Sequence, residues 1–207
     1  MIINVNEFLE CDEMKKKDGA LIKRDINAEI IKAAKHLFSE VGFKKTTVAD
    51  IAHELGMSPT NVYRFFKSKE EINAAVCGQL FSEIEAASEE IARDSGPASK
   101  TLRNLVASVE RLNSLRFHDD RKLHDLLQMA YDENWLIVRE HSKKMDKILE
   151  GVIRQGMAAG EFRAGDAELA AIVVGSGCMH SWLMVQRARD PEPTTDQMID
   201  FCLTALA

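Results

Sequence analysis

Apolar residues recur every three or four positions along most of this chain, in blocks separated by short polar breaks, which is the spacing of amphipathic helices. Ile30, Ala34, Leu37, Phe38 and Val41 mark a first helix, and Gly42 stands where a left-handed cap would end it. Val48, Ile51, Ala52 and Leu55 mark a second. Thr47 opens it, with Asp50 three residues on as the shorter acid of a capping box, and Gly56 stops it. Ser58 followed by Pro59 reads as an N-cap and first helical residue, predicting a short third helix from Pro59 to about Phe66. Ser68 and Glu71 form another capping box, starting a fourth helix that could reach Arg93.

Asp94-Ser95-Gly96-Pro97 is the strongest break between modules. Helical spacing resumes over 98–115, 119–130 and 133–159, with Gly160 as a cap, and again over 166–189. Asp190-Pro191-Glu192-Pro193 then separates a last helix, Thr194 to Leu206. The expected fold is all-α. A flexible polar arm occupies 1–25, a three-helix module 26–70, a linking helix 71–96 and a larger helical body 97–207. No internal repeat or low-complexity tract interrupts this order.

Composition agrees, with 45% apolar and 29% charged residues and only four prolines. The net charge of -6 changes meaning once it is divided along the chain. Met14 to Lys69 holds twelve Lys and Arg against six Asp and Glu, a local +6, and the remainder carries -12. One end suits a polyanion and the other does not. Cys11, Cys77, Cys178 and Cys202 lack the two-residue spacing of zinc or redox motifs and read as separate reduced thiols. With acids among the apolar residues of Met1 to Glu13, nothing resembles an export signal, and a cytoplasmic protein is expected. Leu169 to Gln186 has no charged residue and is just long enough to span a bilayer. Gly175, Ser176, Gly177, His180 and Ser181 in its middle favour a helix buried in protein.

The basic end also carries the clearest chemistry. On a helical wheel Val62 and Phe66 lie on one side of the third helix, with Thr60, Asn61 and Arg64 opposite. A short helix anchored at its back and showing hydroxyl, amide and guanidinium groups at its front is what major-groove reading requires. Thr47 and Lys69, each at a helix start, and Tyr63 beside the outer face are placed to meet phosphates.

Phe38, Gly42, Thr46-Thr47, Ile51-Ala52, Gly56, Ser58, Tyr63, Phe66 and Lys69-Glu70 together resemble the N-terminal signature of the tetracycline repressor (TetR) family, over about fifty residues. The resemblance implies an all-helical homodimer with a helix-turn-helix head on double-stranded DNA and a body that binds a small-molecule effector and dimerises. It also implies a ligand-responsive, sequence-specific regulator, most often a repressor that an inducer releases from a palindromic operator. By the same resemblance Thr47, Tyr63 and Lys69 match phosphate-contacting positions, and Pro59, Thr60, Asn61 and Arg64 lie on the recognition helix. Many members have Gly near Thr60 and an aromatic residue in place of Arg64, so no operator sequence carries over.

The body is less legible. Leu169, Ile172, Val173, Ser176, His180 and Leu183 make one stripe of the apolar helix, and Ala171, Val174, Cys178, Trp182 and Val185 another. One stripe is expected to meet the body's own core and the other, with the final helix, a second subunit in a four-helix bundle. Met129, Tyr131, Trp135, His141, Met145, Met179 and Trp182 form a pool of candidate effector contacts, although large residues at helical spacing usually serve packing. His118, Asp119, Asp120 and His124 suggest metal ligands, but no third ligand stands near Asp120 and His124, and Arg121 and Lys122 between them favour a solvated turn. No metal or cofactor is expected. A small helical enzyme or an adaptor without DNA binding are the competing classes; no nucleophile elbow, phosphate-cradling glycine loop or close carboxylate pair supports the enzyme.

Overall fold

The computed structural model describes residues 26–179 and 193–207, apart from the side chains of 116–119 and 179. Among the described residues the regular elements are all helical: α1 (26–40), α2 (Val48–Glu54), α3 (Pro59–Val62), α4 (Lys69–Ala92), α5 (Ala98–Asp119), α6 (Arg121–Asp132), α7 (Leu136–Ala158), α8 (Ala167–Val174) with a π turn at Gly175–Met179, and α9 (Thr195–Leu206). The arm at 1–25, with Cys11, lies outside them, and so do His180, Trp182, Leu183 and Val185 of the apolar stretch. Two compact units divide at Val76 and Cys77, inside α4.

The N-terminal unit buries one stripe from each helix: Ile30, Ala34 and Phe38 of α1, Val48, Ile51 and Ala52 of α2, and Val62 of α3. Phe38 meets Phe43 edge-on, with ring centroids 6.5 Å apart. Both expected glycine stops are present, with positive φ of 98° at Gly42 and 64° at Gly56. After α2 the Met57 N–H reaches the Ala52 carbonyl and the Gly56 N–H reaches that of His53, a Schellman closure. The third helix is shorter than its pattern suggests. It ends at Val62, and 63–65 continue as tight turns closed by Arg64 N–H to Asn61 O and Phe65 N–H to Val62 O.

In the second unit Leu102, Leu105, Val106 and Val109 of α5 share a core with Leu149, Val152 and Ile153 of α7, Ala171 and Val174 of α8, and Ile199 of α9. Helices α5, α6, α7 and α9 start and stop within a few residues of their expected bounds, with α5 running on to Asp119. The apolar stretch is not one regular helix, since the π turn interrupts it after Val174. A Cβ on Gly175 would stand 3.1 Å from Asp146 Oδ1, so glycine permits this close approach to α7. Among the described residues no helix is long and apolar enough to cross a membrane. Cys77, Cys178 and Cys202 are free thiols, and the fold brings Cys178 beside Cys202, a neighbourhood the sequence spacing conceals.

Candidate DNA interface and internal cavity

Thr47 caps α2. Its backbone N–H donates to Asp50 Oδ2 at 2.7 Å and its hydroxyl accepts from the Asp50 N–H at 3.2 Å, the expected box. The Thr47 N–H, and the Thr47 hydroxyl donating to the same Asp50 oxygen at 2.8 Å, hold the Asp50 carboxyl below its ordinary range. Ser58 caps α3 by accepting from the Asn61 N–H at 3.3 Å, with Pro59 at the first helical position. At α4 the Glu71 N–H reaches Ser68 Oγ at 3.3 Å, whereas the Glu71 carboxylate takes the N–H of Lys67 at 2.6 Å, one residue earlier than a regular box. Three capped helix starts therefore bracket α3.

On this scaffold Val62 is wholly buried, while Pro59, Thr60 and Arg64 are exposed and Tyr63 is 48% exposed. Asn61, Phe66 and Lys69 are half-buried, and Thr47 is exposed. The inner and outer sets separate as the wheel predicts up to Val62. Beyond it Tyr63 and Arg64 reach the surface from turns, not from a continued helix. Lys44 and Lys45 stand exposed before α2, so the same unit presents cations outside α3 as well.

The second unit contains a small, partly open cavity. Phe81 and Ile84 of α4, Val109 and Asn113 of α5, and Leu127 and Tyr131 of α6 line part of it. His141, Ser142, Met145 and Asp146 of α7 and Gly175 of the π turn also line it. The imidazole of His141 stacks on Phe81 at 4.2 Å and 8°, and Tyr131 meets Phe81 edge-on at 5.8 Å. His141 Nδ1 lies 2.7 Å from Glu85 Oε1, and Lys144 Nζ donates to Glu85 Oε2 at 3.1 Å and to Glu89 at 3.0 Å. Burial by itself would raise the Glu85 carboxyl; the contacts with His141 and Lys144 prevail and hold it lower. Burial pushes the Tyr131 phenol upward, so it stays protonated.

Of the pooled candidates, Tyr131, His141 and Met145 line this cavity. Met129 is half-buried elsewhere on α6, and Trp135 lies before α7, its indole donating to Glu133 at 2.8 Å. The side chain of Met179 and all of Trp182 lie outside the described residues. The pool omitted Asn113, Ser142, Asp146 and Gly175, because small and polar residues on a helical stripe give no sign of a cavity. Asn113 alone was detectable, as an amide in register with Leu102, Val106 and Val109. Asp120 accepts from the Leu123 N–H at 3.0 Å as the N-cap of α6, which accounts for it without a metal. Among the described residues no group of three or more His, Cys, Asp or Glu could hold a metal ion.

Residues 30–76 match the family model described as bacterial regulatory proteins, tetR family, and residues 98–198 match the tetracyclin repressor-like C-terminal domain. The chain belongs to the TetR family. TtgR of Pseudomonas putida, an HTH-type transcriptional regulator, is 25% identical over 88% of this chain and 92% of its own. A TetR/AcrR-family regulator of Thermobifida fusca superposes with a TM-score of 0.63 at 24% identity, covering 88% of this chain and 96% of the other. FadR of Bacillus subtilis, solved with stearoyl-CoA, gives a TM-score of 0.63 at 23% identity over 87% and 99%. As a TetR-family member the chain is a ligand-responsive DNA-binding transcriptional regulator and not an enzyme.

Proposed function

We propose that this TetR-family chain represses transcription as a cytoplasmic homodimer, and that a small molecule entering the cavity between α4, α5, α6 and α7 releases it from a palindromic operator. The head comprises 26–70, the link 71–96 and the effector-binding and dimerising body 97–207. Thr47, Tyr63 and Lys69 grip phosphates, and Pro59, Thr60 and Asn61 of α3, with Arg64 of the turn after it, face the groove. The carrying observation is the division of the segment 60–64: Val62 is wholly buried, whereas Thr60, Tyr63 and Arg64 are exposed beside it.

Dimerisation rests on a second observation. Leu169, Ile172 and Val173 of α8 and Phe201 of α9 are exposed, Phe201 at 76%, and such large apolar side chains on adjoining helices favour a second copy. Two heads about 34 to 36 Å apart would meet successive major grooves. The test is binding of the purified chain to an operator selected from random duplexes. Tyr63→Ala and Lys69→Ala should weaken all sequences alike, and Asn61→Ala and Arg64→Ala should erode base preference by about 1 to 3 kcal/mol per lost bidentate contact. Equal effects of all four on selected and random DNA would overturn the division of roles.

A further inference from the structure

The turn that feeds α2 is held by its own hydrogen bonds. Gly42 takes positive φ, the N–H groups of Lys45 and Thr46 both donate to its carbonyl at 3.1 Å, and the Thr46 hydroxyl donates to the same oxygen at 3.0 Å. Phe43 is buried against Phe38, and Thr46 is buried as well. With these two turned inward, Lys44 and Lys45 are left at the surface, and Thr47 is exposed directly after them. The Lys44 ammonium stands 5.7 Å from the centre of the Phe43 ring. No carboxylate among the described residues forms an ion pair with either lysine, and Asp50, the next acid along the chain, is engaged by Thr47. We propose that Lys44 and Lys45 form a second phosphate-gripping edge of the head, outside α3, which holds duplex DNA by its backbone and reads no base. The inference deepens the reading of this unit as a DNA-binding head and rests on it.

In a helix-turn-helix the recognition helix enters the major groove, and the helix before it crosses the sugar–phosphate backbone. Here α2 is that preceding helix, and 42–47 is the turn that leads into it. The two lysines therefore stand on the element that meets backbone, not on the one that enters the groove. Phosphate needs a cation at the right place and little else, and an ammonium with three donors on a long stem supplies it. The backbone of the turn is already set by the bonds to Gly42, so binding has only the two side chains left to order. Charge makes the same demand. The chain carries a net -6, so attraction to a polyanion has to come from local cations without a counter-charge.

The experiment measures binding of the full-length protein to a labelled random-sequence duplex, and to the duplex it selects from a random pool, across a series of potassium chloride concentrations. Lys44→Gln with Lys45→Gln should weaken both duplexes by the same factor. The same pair should flatten the plot of log affinity against log salt by about 0.9 for each lysine in each bound head. Lys44→Arg with Lys45→Arg keeps the charge and should keep the parent slope. Both double variants should melt with the parent, since the side chains are exposed. Lys100→Gln with Lys143→Gln removes equal charge from exposed positions on α5 and α7 and should leave the slope unchanged. A slope unaltered by Lys44→Gln with Lys45→Gln, or lowered as much by the α5 and α7 pair, would overturn the inference and leave the DNA-binding reading in place. A loss confined to the selected duplex would make the lysines base readers and overturn their backbone role. Failure of the unsubstituted protein to bind either duplex would overturn the inference together with the reading it rests on.

Discussion

Gly156 lies on the buried side of α7, where an added Cβ would stand 2.3 and 2.5 Å from the Phe162 ring and 2.8 Å from Ala98 Cβ. Nothing there can give way cheaply, because Phe162 and Ala98 are themselves core residues. Gly156→Ala should therefore destabilise the protein by about 1 to 3 kcal/mol through overpacking. Gly151, five residues earlier on the same helix, has nothing within 4 Å of the equivalent position. Gly151→Ala should stabilise by up to about 1 kcal/mol, since alanine restricts the unfolded chain and suits a helix. Opposite shifts of the two denaturation midpoints are the expected measurement. The two glycines look alike in the sequence, because the Phe162 ring that separates them arrives only after the chain has turned at Gly160.

Among the elements, the start of α5 depends on a residue more than sixty positions away. Glu161 accepts from the backbone N–H groups of Ala98 and Ser99, at 2.7 and 2.9 Å, and from the Ser99 hydroxyl. It supplies an acid to a helix N-terminus whose first turn contains none of its own. These bonds, that of the Ser99 side chain first, hold the Glu161 carboxyl below its ordinary 4.5. Their stabilisation is thus complete above that value and is lost as the pH falls through the lower folded-state value. In denaturant titrations from about pH 3 to 7, Glu161→Gln should remove part of the acid-side slope, and Glu161→Ala should lower stability further near neutrality. A slope unchanged in Glu161→Gln would refute this. Local caps such as Thr47 with Asp50 and Ser58 before Pro59 were readable within three residues. Glu161 on α5 was not, because capping geometry is local only when donor and acceptor belong to the same turn. For the same reason α3 came out short. A wheel carries its period to Phe66, but the turns at 63–65 replace it with i to i+3 bonds once the buried Val62 has been seated.

For the whole molecule, the described part of the apolar stretch after Asp166 divides as its two stripes predict. Ala171, Val174 and Cys178 are buried in the body's own core, and Leu169, Ile172 and Val173 are exposed. If the exposed set with Phe201 joins two copies, Ile172→Glu with Phe201→Glu should give a folded monomer by sedimentation at about micromolar concentration, since charges cannot be buried unpaired across such a seam. The double variant should also lose most of its affinity for a two-half-site operator while a single half-site is bound as before. A variant that remains dimeric would place the seam elsewhere. In the unsubstituted protein, affinity should fall steeply with added salt as phosphate contacts release counterions.

The sequence by itself determined the helical class, the capped starts around α3, the basic head of an acidic chain and the family, because each depends on residues within a few positions of one another or on charge summed over a segment. Only the tertiary structure decided that Tyr131, His141 and Met145 share a wall with Asn113 and Asp146, and that Met129 and Trp135 do not. It alone also brought Glu85 under His141. These groups come from four helices, and their distances follow from how bulky side chains fill the space between helices, a property of the packed whole that no periodicity along one helix records.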